Sequence, residues 1–150
     1  MRAVIQRTTK ASVEINQEVV SEIETGLVIL LGIEEEDTEE DAEWLSKKIS
    51  SLRIFSDKEG KMNLSIQNVK GSFLLISQFT LHAKTKKGNR PSFIHAAKPE
   101  RAIPLYEKFK LMLAAHSNCL VKSGEFGADM KVKLINDGPV TIIIDTKNKE

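Results

Sequence analysis

The sequence predicts an α+β fold in which mainly antiparallel or mixed β-sheets pack against two flanking helices, as one domain over residues 1–150. Three observations carry that expectation. Segments of alternating or continuously apolar character outnumber those with helical spacing. The two helical segments lie far apart, with strands before, between and after them. The pattern is not a repeating βαβ one, and no internal repeat or low-complexity tract is evident.

The elements follow in order. Ala3, Ile5 and Arg7 alternate with Val4 and Gln6, and Ala11-Ser12-Val13-Glu14-Ile15 alternates again, so both segments read as strands. Asn16-Gln17 is a turn into a strand over residues 18–23. Gly26 precedes an apolar run that reaches Ile33, the pattern of a strand buried on both faces. Asp37 or Thr38 can cap a helix whose first turn is acidic. Its Ala42, Leu45, Ile49 and Leu52 recur at three- and four-residue spacing. Residues 53–55 form a short strand, ended by turn-rich residues 56–60, and residues 73–79 form a second apolar strand bounded by Gly71. Residues 82–91 are polar, basic and broken by Gly88 and Pro91, which makes them a loop. A helix is expected from near Pro99 to about His116, with Pro104 in its first turn or at a kink. Ala102, Leu105, Phe109, Met112 and Leu113 are its apolar stripe. Strands near 119–121, 130–135 and 140–144 close the chain.

Composition narrows the class. A hydrophobic fraction of 41% and a charged fraction of 29% are those of a globular protein, not of a disordered chain. A formal net charge of +1 offers no bulk attraction for nucleic acid, so any RNA contact must come from local clustering. The single cysteine, Cys119, provides neither a disulfide nor a metal-ligand pair, which suits a reducing compartment. Residues 1–7 lack an apolar signal core, and the run Leu27-Val28-Ile29-Leu30-Leu31 is too short to span a bilayer. A cytoplasmic protein is expected.

Charge is unevenly placed. Eight of the ten residues 34–43 are acidic, whereas residues 82–97 carry Lys84, Lys86, Lys87 and Arg90 without one acid. Either run alone reads as a solvated face. Together they make the molecule dipolar, so a polyanion is steered to the lysine loop and repelled from the acidic helix.

Familiar catalytic sets are missing. The histidines are His82, His95 and His116, and no Gly-x-Ser-x-Gly elbow occurs. Thr80 and His82 would share a face of an extended strand, which leaves a Thr–His pair open. His116, near a helix end, reads as a structural residue favoured by the helix dipole. No metal-ligand spacing is present, Cys119 reads as a small buried hydrophobe, and no glycine-rich phosphate loop opens either helix. Neither a metal nor another cofactor is expected.

Three segments carry a resemblance. Ser77-Gln78-Phe79-Thr80-Leu81 and Asn136-Asp137-Gly138-Pro139-Val140-Thr141 resemble the two signature motifs of D-aminoacyl-tRNA deacylases. Gly124-Glu125-Phe126-Gly127-Ala128-Asp129-Met130 is similar to a third segment of that family. Residues 1–7, 52–63 and 88–93 look like it too, in order and over nearly the whole chain. The resemblance implies hydrolysis of the ester joining a D-amino acid to the terminal adenosine of tRNA. It also implies action on glycine mischarged on alanine tRNA, because an achiral residue escapes a chiral filter. A homodimer with active sites at its interface is implied, as is a compact, barrel-like packing of sheets flanked by helices.

An aminoacyl ester is already activated, so a positioned water and a stabilised oxyanion can suffice. On that reading Ser77, Gln78, Phe79 and Thr80 form the catalytic segment. The backbone N–H groups of Phe79 and Thr80, at the end of a buried strand, are the oxyanion donors, and the resemblance implies help from the substrate's ribose 2′-OH. Thr80 reads as a positioning residue, since a nucleophile would need a base. Phe126, Gly127, Ala128 and Met130, with Asn136, are candidates for holding the adenosine. Phe126 and Met130 would supply an aromatic face and a thioether, and core packing would use the same two side chains. The resemblance makes Gly138-Pro139 a cis peptide that enters the partner's pocket and excludes an L side chain. From the residues alone, Asn-Asp-Gly-Pro is a hairpin turn between two strands. Lys84, Lys86, Lys87 and Arg90 are candidates for the tRNA backbone. Two other readings stay open: a non-catalytic dimeric RNA- or DNA-binding module, and a hydrolase of small-metabolite esters.

Overall fold

A computed structural model describes residues 1–150. Its organising element is β1 (Arg2–Ile15), one strand where the alternation suggests two. The polar residues between the alternating segments form a bulge inside it. The Thr8 hydroxyl donates to Ile135 O (2.9 Å) and accepts the Lys10 N–H (3.1 Å), so the strand continues with its side-chain phase shifted. Asn16 and Gln17, both at positive φ, turn the chain into β2 (Glu18–Ile23).

β3 (Gly26–Gly32) pairs antiparallel with the first half of β1, and β2 pairs with the second half. β6 (Ser72–Ser77) and β7 (Val121–Ser123) add in parallel beyond β3, while β8 (Lys131–Asp145) runs antiparallel along the other edge of β1. The sheet is therefore mixed. It curls until β2 and β7 meet: Ser21 Oγ donates to Ser123 O (2.6 Å) and Lys122 Nζ to Glu22 O (2.8 Å), giving a nearly closed barrel. A small hairpin of β4 (Phe55–Ser56) and β5 (Met62–Leu64) lies outside it. Its first strand starts later than expected, at Phe55; Arg53 lies before the ladder and reaches across it, its Nε donating to Asn63 O (2.9 Å).

Two helices cover one face. α1 (Glu39–Ser51) starts at Thr38, whose N–H donates to the Asp41 carboxylate (2.9 Å), and buries Ala42, Leu45 and Ile49 as their spacing predicts. α2 (Pro99–Ser117) buries Ala102, Leu105, Phe109 and Leu113, with Met112 half-buried beside them. Pro104 sits past the first turn, within the helix. Ile5, Leu27, Ile29, Leu31, Phe73 and Leu75 face these helices. Val13, Val28, Leu74 and Ile76 point the other way into a smaller cluster with Met130, Val132 and Leu134. Burial on both faces is why β3 and β6 are uninterruptedly apolar. No helix is long and apolar enough to cross a membrane.

Candidate active site

The ends of β3 and β6 open into a pocket of about 250 Å³, lined by Leu31, Ile33, Ile76, Ser77, Gln78 and Phe79 on one side. Phe126, Gly127, Ala128, Met130 and Val132 line the other, and Ala97 and Ala102 complete it. Seven expected site residues meet here: Ser77, Gln78, Phe79, Phe126, Gly127, Ala128 and Met130. The remaining wall residues are apolar and were not separable from core by their pattern. Tyr106 does not line the pocket but backs its wall, a placement no local motif signals. Its ring meets Phe126 edge to face (centroids 5.6 Å apart), and its hydroxyl donates to Leu75 O (2.9 Å). Burial pushes that phenol far above its ordinary pKa and keeps it a donor.

At the pocket rim the strand expected to reach Phe79 ends at Ser77, and the chain winds into a 3-10 turn over Phe79–His82. Gly32 makes this possible. A Cβ there would lie 3.0 Å from Gln78 O, from the His82 ring and from Leu81 Cβ, so glycine lets the turn rest directly on β3. The first N–H groups of a 3-10 turn have no acceptor within it. No loop, cap or side-chain acceptor takes those of Phe79 or Thr80.

The turn also corrects the strand-face pairing of Thr80 with His82. Thr80 is exposed and its Oγ1 accepts the Gln78 Nε2 donor at 2.6 Å, while His82 is rolled under the turn at 6% exposure. The imidazole Nδ1 lies 3.9 Å from Glu34 Oε2 and Nε2 has no partner. Thr80 therefore has an amide donor beside it and no base. Cys119 is half-buried, with its Sγ–H directed at Ser117 O (3.4 Å); burial raises its pKa and keeps it a thiol. His116 contacts Glu43 (3.0 Å) between the helices, far from a catalytic set. No three His, Cys, Asp or Glu side chains converge as a metal site would require.

Residues 136–141 are not a hairpin. β8 runs through them, and the pairing jumps from Gln6↔Thr141 to Thr8↔Asn136, so Asp137 to Val140 bulge outward opposite the single residue Arg7. Asn136 closes the bulge: its Oδ1 accepts the Val140 N–H (3.1 Å) and its Nδ2 donates to Thr141 Oγ1 (3.0 Å). Buried Arg7 anchors it, with Nε donating to Asp137 O (3.2 Å) and lying 3.1 Å from the Asp137 carboxylate, and Nη1 donating to Ile54 O (2.7 Å). Gly138-Pro139 is cis and exposed at the tip. Gly138 has φ +121°, and a Cβ there would meet Arg7 Nη2 at 3.0 Å and Val140 Cγ2 at 2.9 Å. Neither Asn136, Gly138 nor Pro139 lines this chain's own pocket.

The basic loop is a closed hairpin. Lys84 and Ser92 exchange both backbone hydrogen bonds (2.8 and 3.1 Å), and Lys84, Lys86, Lys87 and Arg90 project from it, all exposed. It springs from the 3-10 turn at one end, and at the other the chain returns to the pocket wall at Ala97, whose N–H donates to Ile33 O (2.9 Å).

The chain is similar to several known proteins along most of its length. The family model described as D-Tyr-tRNA(Tyr) deacylase matches residues 4–145. The D-aminoacyl-tRNA deacylases of Akkermansia muciniphila and Bacteroides fragilis are 62% and 63% identical over 150 residues, covering 100% of each chain. A solved structure titled c-Myc DNA Unwinding Element Binding Protein is 42% identical, with a TM-score of 0.90 over 97% of this chain and 98% of that one. Another, of a probable eukaryotic D-amino acid tRNA deacylase, shares the fold at 16% identity, with a TM-score of 0.81 over 95% of this chain and 97% of that one. By its sequence along almost its whole length, this chain belongs to the D-Tyr-tRNA(Tyr) deacylase family.

Proposed function

We infer from the family and the pocket together that the chain is a D-aminoacyl-tRNA deacylase, releasing a D-amino acid, or glycine mischarged on alanine tRNA, from the tRNA terminal adenosine. The observation that carries this reading is the pair of uncommitted N–H groups, Phe79 and Thr80, on a turn at the mouth of an apolar pocket. Such donors suit the oxyanion of an ester's tetrahedral intermediate and need no reorganisation during reaction. Phe126, Gly127, Ala128 and Met130 receive the adenine; Ser77 and Gln78 position the ester and the attacking water; and the ribose 2′-OH assists. The Gln78 amide, donating to Thr80 Oγ1, makes that oxygen a poorer nucleophile and a better-fixed hydrogen-bonding group.

The chiral filter is the Gly138-Pro139 tip acting in the pocket of a second copy. Support for a two-fold partner comes from β8: its outer edge has no strand neighbour, and the strand leaves Ile135 and Ile143, one on each face, 61% and 68% exposed. Backbone presented there leaves room for the Cα hydrogen of a D-residue and collides with an L side chain. Asn136 reaches that pocket only by way of the same insertion. Lys84, Lys86, Lys87 and Arg90 hold the tRNA backbone, and the cytoplasm is the place of action.

A second reading is kept alive by the name of the 42%-identical structure: a non-catalytic dimeric nucleic-acid-binding module using the basic hairpin. One assay separates these readings. The protein is incubated with D-Tyr-tRNA, L-Tyr-tRNA and a free D-tyrosine ester, and only the first is expected to be lost quickly. Salt-sensitive binding without turnover supports the module, whereas cleavage of the free ester irrespective of tRNA supports a small-ester hydrolase.

A further inference from the structure

Phe79 is 55% exposed although it lines the pocket, and its ring meets that of Phe93 edge to face, with centroids 5.1 Å apart and planes at 74°. Neither ring belongs to the buried core. In an edge-to-face pair each ring keeps at least one face free of the other, so the pair fixes both rings and still offers a flat apolar surface. Phe93 directly follows Ser92, the closing residue of the basic hairpin, and Ile94 beside it is 76% exposed. The order in space is thus apolar pocket, aromatic pair, then four cations with no acid between residues 82 and 97.

We propose that Phe79 and Phe93 form a stacking subsite for the unpaired nucleotide immediately 5′ of the terminal adenosine, from which the RNA backbone continues onto the Lys84–Ser92 hairpin. The proposal rests on the deacylase reading above and names a part of the RNA that reading leaves unassigned. An aromatic platform followed by cations suits single-stranded nucleic acid, because every base has a π-face and every linkage a charge. An apolar protein partner would gain nothing from the four cations, and a duplex offers no free base face. Stacking here holds the RNA where it leaves the pocket and so adds affinity for the tRNA rather than rate at the ester.

The test compares D-Tyr-tRNA with 2′(3′)-O-D-tyrosyl-adenosine, which lacks every nucleotide 5′ of the adenosine. Phe93→Leu keeps apolar bulk and removes the ring. It is expected to raise the half-saturating concentration of D-Tyr-tRNA ~10-fold, with the maximal single-turnover rate and the cleavage of the adenosine ester unchanged. Phe93→Tyr, which keeps the ring, should behave as wild type. Equal losses on both substrates, no change on the tRNA, or a Phe93→Tyr defect as large as that of Phe93→Leu would overturn the subsite while leaving the activity standing. A wild-type protein that cleaves neither substrate overturns the activity, and the subsite with it.

Discussion

Thr80 illustrates how one hydrogen bond constrains a residue's chemistry. Its oxygen already accepts the Gln78 amide, and the nearest histidine in sequence, His82, is buried beneath the turn. A nucleophile in that setting has nothing to take its proton. Thr80→Ala should therefore slow single-turnover hydrolysis of D-Tyr-tRNA by less than about tenfold, whereas losing a true nucleophile costs on the order of a millionfold in a serine protease. A rate near background would reinstate covalent catalysis. The residues around Thr80 were legible in the sequence because the motif is local. Arg7 and Tyr106 were not, because their roles lie in hydrogen bonds to Asp137, Ile54 and Leu75, each at least thirty-one positions away.

Among the elements, α1 shows a local signal that the fold reuses. Thr38 and the acidic turn after it read as a helix start, and the Asp41 carboxylate does accept the Thr38 N–H, but it also receives Lys147 Nζ (2.9 Å) from the end of the chain. Burial raises the Asp41 pKa, yet hydrogen bonds from Lys147, Thr38 and Thr146 outweigh it and hold the carboxyl well below the usual range. A group depressed on folding stabilises fully above its unfolded pKa, roughly 3.9, and loses that contribution as pH falls through the folded value. Asp41→Asn should cost about 1 kcal/mol at neutral pH. In thermal unfolding its deficit should shrink steadily as pH falls below 4; a deficit independent of pH would show that charge is not the cause. The 3-10 turn and the bulge of β8 were hidden for another reason. Apolar alternation marks which face a residue takes, but it does not show where a ladder gives way to a turn or ejects residues.

For the molecule as a whole, the outer edge of β8 and the Gly138-Pro139 tip belong to one strand, so the surface proposed for pairing also carries the proposed filter. Ile135→Asp with Ile143→Glu places charge at two exposed apolar positions of β8 and should give a folded monomer by light scattering and circular dichroism. That monomer should have lost both hydrolysis and D-selectivity. An active, D-selective monomer would refute the shared-site arrangement. Charge is also settled at this scale: the acids at the start of α1 are matched by cations of the fold, Glu39 by Lys108 and Asp41 by Lys147 (2.9 Å), whereas Lys84, Lys86, Lys87 and Arg90 stay exposed on the basic hairpin.

The sequence by itself determined the α+β class, the faces of both helices, the strands buried on both sides and the family, since each rests on periodicity or on contiguous residues. Only the tertiary structure decided which of those residues meet. It gathered Ser77–Phe79 and Phe126–Met130 around one pocket, buried His82 away from Thr80, and converted an expected hairpin at 136–139 into an exposed bulge pinned by Arg7. The physical reason is that long-range pairing sets register: β1 has to satisfy β2 and β3 on one edge and β8 on the other, and its fit to all three places the bulge opposite Arg7.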